Sequence, residues 1–335
     1  MTNSNGVRPD EGLPLEDRTQ PVAANDTRKQ QHAAPASGAS RAEAPPLIAT
    51  RDLLAGLLDD LAVRHQARQD NKWTGGLRCG LPLIDTNLRG LRPKAITMLA
   101  AEPKIGKTTL TNQIAYQTAA FEGQNTAALY VSFELDPADL LLKHLSRLSG
   151  WKQNDLLDGA VSPNDKNLQA AAERLACVPL FYLRAGMGTT PTGIIERAKE
   201  AKQSGELLLV IDYLQYFARF AAGKGQYEQI SQTLPALRQI ADETGAALLV
   251  IVSQNRETNK DGKATQFGGR GSGEIEYDCD TLLSLTKDQR LAATGAAPCR
   301  LTVVNARYGG ADTWMDLEFY RERAYFGVPG ERDVR

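Results

Sequence analysis

The chain is poor in cysteine. Its 335 residues hold four, Cys79, Cys177, Cys279 and Cys299, with no CxxC pair and no histidine at ligand spacing. This argues against a cysteine-built zinc module and against a disulfide-stapled fold, and it predicts reduced thiols in a cytosolic protein. An excess of either charge is lacking too, with 39 Lys+Arg against 40 Asp+Glu. No overall field recruits nucleic acid or an anionic membrane, so any polyanion has to be held by local basic loops. There is no apolar run of the ~20 residues that crossing a bilayer takes. The opening "MTNSNGVRPD" is polar with no apolar run behind it, which argues against a secretory signal. A soluble cytoplasmic protein is the expectation. No internal repeat is visible.

What the sequence does contain changes along its length. Residues 1–46 carry six of the sixteen prolines and almost no large apolar side chains, so they cannot bury enough surface to offset ordering entropy and read as a disordered tail. From Leu47 to Lys72 the pattern becomes helical: Leu53, Leu54, Leu57, Leu58 and Leu61 share one face, with Thr50 as N-cap. Such a helix packs on its own domain or docks on a neighbouring subunit. Beyond Gly75, "AITMLAA", "AALYVSF", "VPLFYL", "LLLVID" and "AALLVIVS" read as strands, and helical patterns fall at about 107–121, 137–149, 166–176, 190–203 and 227–244. Near-continuous apolar strands between amphipathic helices predict an α/β fold with a mainly parallel sheet covered on both faces. The later "TLLSLTK", "RLTVVNARY", "TWMDLEFY" and "RAYFGV" read as antiparallel hairpin strands extending it. The expected domain covers 73–328, with 329–335 as a short tail.

The first strand feeds the turn Ala101-Glu102-Pro103-Lys104-Ile105-Gly106, and Lys107-Thr108-Thr109 opens a helix. A strand, a glycine turn and a helix N-terminus in this order cradle phosphate with backbone N–H groups. Gly106 supplies a conformation that larger residues resist, and Ala101 adds only a methyl group at the opening position. Lys107 is expected on the terminal phosphates and the Thr108 hydroxyl on Mg²⁺. Three polar residues follow strands, at the end of an open parallel sheet where ligands bind. Asp212 suits a role near Mg²⁺ or a turn cap; Gln254 suits a γ-phosphate sensor or a strand cap. Glu134 suits a base that polarises water, because Asp136, followed by Pro137, is the better N-cap for the next helix.

With those residues placed, the chain resembles the RecA-like ATPase domain of DnaB-type replicative helicases. "CGLPLIDTNLRGLRPKAITMLAAEPKIGKTT" is similar to the family's segment leading through the Walker A loop, "VSFEL" to its catalytic-glutamate motif and "VIDYLQYF" to its Walker B strand. "IVSQNRE", "RGSGEIEYDCD" and "NARYGG" resemble three later motifs in the same order. The resemblance implies ATP with Mg²⁺, a homo-hexamer without membrane association, and single-stranded DNA in a central pore. It implies that Arg307 is an arginine finger reaching the neighbouring subunit's nucleotide, and that Arg270, Gly271 and Gly273 grip the DNA backbone. Arg256, Lys260 and Lys263 add local positive charge before that loop; a few basic groups per subunit, repeated round a ring, suffice for a backbone grip. Asn305 stands where the family usually has a lysine. The family's primase-binding N-terminal helical domain has no counterpart in residues 1–46, so a motor of plasmid, phage or integrated-element type is expected, with any loader or replication initiator undefined. Two other functions fit the same nucleotide cradle: a RecA/RadA-like recombination or repair ATPase, and a nucleotide-switched oligomeric scaffold.

Overall fold

A computed structural model describes residues 47–203, 205–218, 226–253, 279–287 and 296–330, with backbone alone for 226–232. The expected tail at 1–46 and the last residues, 331–335, lie outside the described residues. The chain divides into two compact units, 1–61 and 62–335, with the boundary inside the helix α1 (Thr50–Gln69). In the first unit, Leu53, Leu54, Leu57, Leu58 and Leu61 of α1 are exposed. Thr50 is the first helical residue and not the cap before it.

The second unit is built on one nine-stranded sheet. Its strands are β1 (Ile96–Ala101), β2 (Thr126–Ser132), β3 (Leu180–Arg184), β4 (Glu206–Asp212), β5 (Ala247–Ser253), β6 (Thr281–Lys287), β7 (Ala297–Ala306), β8 (Thr313–Tyr320) and β9 (Tyr325–Gly327). They lie in the order β3-β2-β4-β5-β1-β6-β7-β8-β9. Four of the five apolar runs, β1, β2, β4 and β5, form interior strands buried along nearly their whole length, whereas β3 is the edge strand and only partly buried. Strands β1 to β6 are parallel to one another, with β6 a parallel partner of β1, and β7, β8 and β9 are added to β6 by successive antiparallel pairings. The sequence texture after Asp280 predicts hairpins throughout. The parallel pairing of β6 is set by what lies beside it, which texture does not encode.

Two cores sandwich the sheet. One packs α6 (Pro191–Lys202), α7 (Leu214–Ala218) and α8 (Gln226–Thr244) on one face through residues such as Ile194, Phe217, Leu237 and Ile240. The other packs α2 (Lys107–Ala119) and α3 (Pro137–Ser149) on the opposite face through Leu110, Ile114 and Leu140, together with Leu77–Leu91 and the C-terminal strands. The short helix α4 (Gln153–Leu157) and α5 (Lys166–Ala176) complete the unit. Helix α3 starts where the sequence places it: Asp136 accepts from the Ala138 N–H, Pro137 occupies the first turn, and Gly150 ends the helix at φ +80°. Among the described residues no helix is long and apolar enough to cross a membrane.

Candidate active site

Strands β1, β2 and β4 end on the same edge of the sheet, and that edge gathers four of the polar residues singled out from the sequence. β1 runs into the loop Ala101–Gly106, and α2 begins at Lys107. Gly106 is the helix N-cap at φ +103°, a left-handed conformation that favours glycine. Space gives a second reason. A Cβ there would come within 2.8 Å of the Phe319 ring, which stacks on Phe326 with centroids 4.3 Å apart. Gln113 of α2 clamps the Phe326 backbone at both its carbonyl and its N–H, 2.9 Å each. The Arg321 guanidinium donates to the Lys104 carbonyl at 3.3 Å. The C-terminal strands therefore form the wall against which the loop is shaped.

Lys107 folds back over the loop, donating to the carbonyls of Ala101 at 2.9 Å and Glu102 at 3.0 Å. Burial pushes its ammonium pKa down, and the nearby charges of Asp212, Glu134 and Glu102 pull it back. The loop thus presents a partly desolvated cation whose hydrogen-bond partners are carbonyls, which suits an incoming anion.

Asp212 closes β4 and is buried, 1 % exposed. Its Oδ2 accepts from the Tyr130 hydroxyl at 2.8 Å. Tyr130 in turn meets the Thr111 hydroxyl at 3.0 Å, and Thr111 donates to the Lys107 carbonyl at 3.1 Å. The first turn of α2, the middle of β2 and the end of β4 are thereby tied together. The other oxygen, Oδ1, is buried without a hydrogen-bond partner. Burial pushes the Asp212 carboxyl up to about 6; the Tyr130 and Thr108 hydroxyls and the Lys107 charge favour its ionised form, and Glu134 opposes it. A buried, orphaned carboxylate oxygen is costly unless a cation or proton meets it. Among the described residues no cluster of three or more His, Cys, Asp or Glu could hold a metal alone. The pair Asp212 and Thr108 fits Mg²⁺ of the kind that takes one or two protein oxygens and fills its shell with substrate phosphate and water.

Glu134 follows β2, the strand paired with β4 so that Ser132 faces Asp212, and the Phe133 N–H donates to the Asp212 carbonyl at 2.8 Å. Its side chain is exposed at the mouth of the site, near enough to act electrostatically on both Lys107 and Asp212. The neighbouring cap position is filled by Asp136, leaving the Glu134 carboxylate outside the helix-capping bonds.

Arg307 is elsewhere. It follows β7, which runs antiparallel to β6, itself parallel to β1, so it lies at the edge where β1 begins. There its Nη1 donates to Asp280 Oδ1 at 3.2 Å, while the Ile96 N–H donates to Asp280 Oδ2 at 2.8 Å. Ile96 to Ala101 is five strand steps, roughly 17 Å at the usual rise per residue. Arg307 and the phosphate-type loop of the same chain thus occupy opposite edges. Gln254, Arg256, Lys260, Lys263, Arg270, Gly271 and Gly273 lie outside the described residues.

Several residues that shape the site carried little signal in the sequence. Tyr130 is one hydroxyl in an apolar strand. Gln215, inside the quoted "IDYLQ" stretch, donates to the Ser253 carbonyl at 2.9 Å and accepts from its N–H at 3.2 Å, fixing the end of β5 immediately before Gln254. Asp280 and Arg238 meet across 42 residues of chain.

Sheet order and the glycine turn between β1 and α2 define a domain of RecA-like fold. A solved structure of an isolated ATPase domain superposes with a TM-score of 0.71, covering 84 % of this chain and 99 % of that one at 17 % identity. A DnaB-like replicative helicase, solved in a study of its interactions with primase, gives 0.67 over 84 % of this chain and 67 % of that one at 16 % identity. At these identities the likeness is one of fold. The chain belongs to the DnaB-like helicase C-terminal domain family, whose pattern matches residues 76–327. The replicative DNA helicase DnaB of Pasteurella multocida is 25 % identical over 71 % of this chain and 51 % of its own length. That of Helicobacter pylori is 27 % identical over 68 % of this chain and 46 % of its own. The chain spans about half the length of these curated relatives.

Proposed function

We propose that this chain is the motor of a ring-forming, ATP-driven helicase or translocase of the DnaB type, acting on single-stranded DNA in replication. The observation that carries the reading is the division of polar groups between the two edges of one sheet. Lys107, Thr108, Asp212 and Glu134 gather at the edge where β1 ends, and Arg307 is pinned at the edge where β1 begins. A site so divided is completed when the finger of one subunit faces the phosphate loop of the next.

In this reading the backbone N–H groups of the loop from Ala101 to Gly106 and the first turn of α2, Lys107 to Thr109, hold the phosphates of ATP. The Lys107 ammonium leaves the Ala101 and Glu102 carbonyls for the terminal phosphate oxygens. Thr108 and Asp212 would hold Mg²⁺, which would neutralise charge on the phosphates. The Glu134 carboxylate orients the attacking water and accepts its proton, and Gln254, the next residue in sequence after β5, reports the terminal phosphate. Arg307 of the adjacent subunit stabilises the charge of the transferred group. Arg270, Gly271 and Gly273 contact the DNA backbone in the ring's channel, in a cytoplasmic hexamer whose loader or initiator is undefined.

ATP turnover by the full chain with and without single-stranded DNA tests this reading. We expect turnover to rise on adding single-stranded DNA, and Lys107→Ala to abolish it under both conditions. ATP turnover indifferent to DNA at every concentration would remove the translocase reading and favour a scaffold ATPase.

A further inference from the structure

Away from the phosphate-type loop, a cluster of charged groups among the described residues is centred on Asp280. Its side chain is 5 % exposed and faces two arginines. Oδ1 accepts from Arg307 Nη1 at 3.2 Å. Oδ2 accepts from Arg238 Nη1 at 3.0 Å and from the Ile96 N–H at 2.8 Å. The backbone repeats the pattern: the Asp280 N–H donates to the Ile96 carbonyl at 2.9 Å, and the Arg307 N–H donates to the Asp280 carbonyl at 2.9 Å. One residue therefore joins the start of β1, the start of β6, the end of β7 and helix α8.

A buried carboxylate needs partners, and charge-assisted bonds to arginine are directional as well as strong. Two of its three side-chain bonds, from Ile96 and Arg238, fix Asp280 independently of Arg307. The remaining oxygen is then a fixed acceptor for a guanidinium whose side chain is half-exposed, 51 %. The segment after Arg307 is held as well. Gly309 and Gly310 turn the chain at φ +93° and +91°, and the Arg92 guanidinium lies 4.1 Å from the centroid of the Tyr308 ring.

We propose that Asp280, held in place by Arg238, is the positioning residue for Arg307: it presents the guanidinium at the subunit edge in the orientation needed to reach a neighbour's nucleotide. The proposal rests on the reading of Arg307 as a finger. Asp280 touches no substrate and acts only through Arg307, with Arg238 one step further back.

The test compares Asp280→Asn, Arg307→Ala and the double variant in the full chain, reading three quantities: binding of a fluorescent ATP analogue, oligomer mass and ATP turnover. A misplaced group costs turnover by up to ~10²-fold while binding stays intact. We therefore expect Asp280→Asn to bind nucleotide and assemble like the wild type, to turn over ATP ~10²-fold more slowly, and to lose nothing further in the double variant beyond Arg307→Ala alone. A merely structural role would lower binding or assembly, and its loss would compound with Arg307→Ala; that result overturns the proposal. An inactive Arg307→Ala beside a fully active Asp280→Asn overturns the positioning role alone, whereas a fully active Arg307→Ala removes the finger reading and this role with it. Arg238→Gln and Arg238→Lys decide the matter if Asp280→Asn does not fold. Turnover should fall in the first and recover in part in the second at unchanged nucleotide binding, and wild-type turnover in Arg238→Gln overturns the proposal.

Discussion

Asp212 and Glu134 are two carboxylates on neighbouring strands with opposite surroundings, and the contrast separates their roles. Asp212 is buried, with one oxygen held by Tyr130 and the other without a partner. That unpartnered oxygen suits a cation. Glu134 is exposed at the mouth of the same site, where a water and a phosphate can both reach it. Glu134→Gln keeps the shape and removes the proposed base. Loss of a positioned general base costs ~10²–10⁴-fold, so turnover should fall by that factor while ATP binding, read by analogue fluorescence, stays within about twofold of wild type. Near wild-type turnover would transfer the role of base to another residue. The sequence carried both carboxylates because each stands directly after an apolar strand. It carried Asp136 as the competing cap, and the bond from the Ala138 N–H shows that role filled. It did not carry Tyr130 or Asp280, since a single hydroxyl in a strand and an acid at a strand start acquire meaning only through partners remote in the chain.

At the scale of elements, the central strands were legible because burial on both faces writes itself as unbroken apolar runs. β6 and β8 fall on the stretches "TLLSLTK" and "TWMDLEFY". Two things were not legible. Strand direction is a property of the neighbour, so the parallel pairing of β6 with β1 left no trace in its residues. Five-residue helices such as α4 and α7 carry too little periodicity to register. The leucine face of α1 was legible as an apolar stripe, and Leu53, Leu54, Leu57, Leu58 and Leu61 are exposed. Such a stripe suits docking on an adjacent subunit. Deleting residues 1–68 should leave a folded domain that stays monomeric by light scattering and loses ATP turnover by ~10³-fold or more, since no finger then reaches a phosphate loop. Deleting 1–46 alone should change neither. Assembly and full activity in the shorter protein would rule the docking out.

Across the whole molecule, the proposed function divides one reaction between the two sheet edges. In the proposed reading the edge where β1 ends binds and hydrolyses ATP, while the edge where β1 begins holds Arg307 against Asp280, roughly 17 Å away along the strand. On the proposed reading, a side chain anchored there would serve a neighbour and not its own loop, and turnover would be a property of the assembly. The balanced net charge agrees with the proposed arrangement, because a ring would concentrate a few basic groups per subunit at its channel. The order of motifs along the sequence pointed to the same architecture, but the distance between the edges emerged only from the sheet order and the antiparallel return of β7.

The central claim, that ATP is hydrolysed between subunits, is tested most directly by turnover in mixed assemblies of Arg307→Ala and Lys107→Ala subunits. Each variant alone should be nearly inactive, Arg307→Ala by ~10³–10⁵-fold because every loop faces a missing finger. Mixed and allowed to exchange, some intact phosphate loops come to face intact fingers, and turnover should rise well above that of either variant. Full turnover by Arg307→Ala on its own, or mixtures no more active than their components despite demonstrated subunit exchange, would contradict the account.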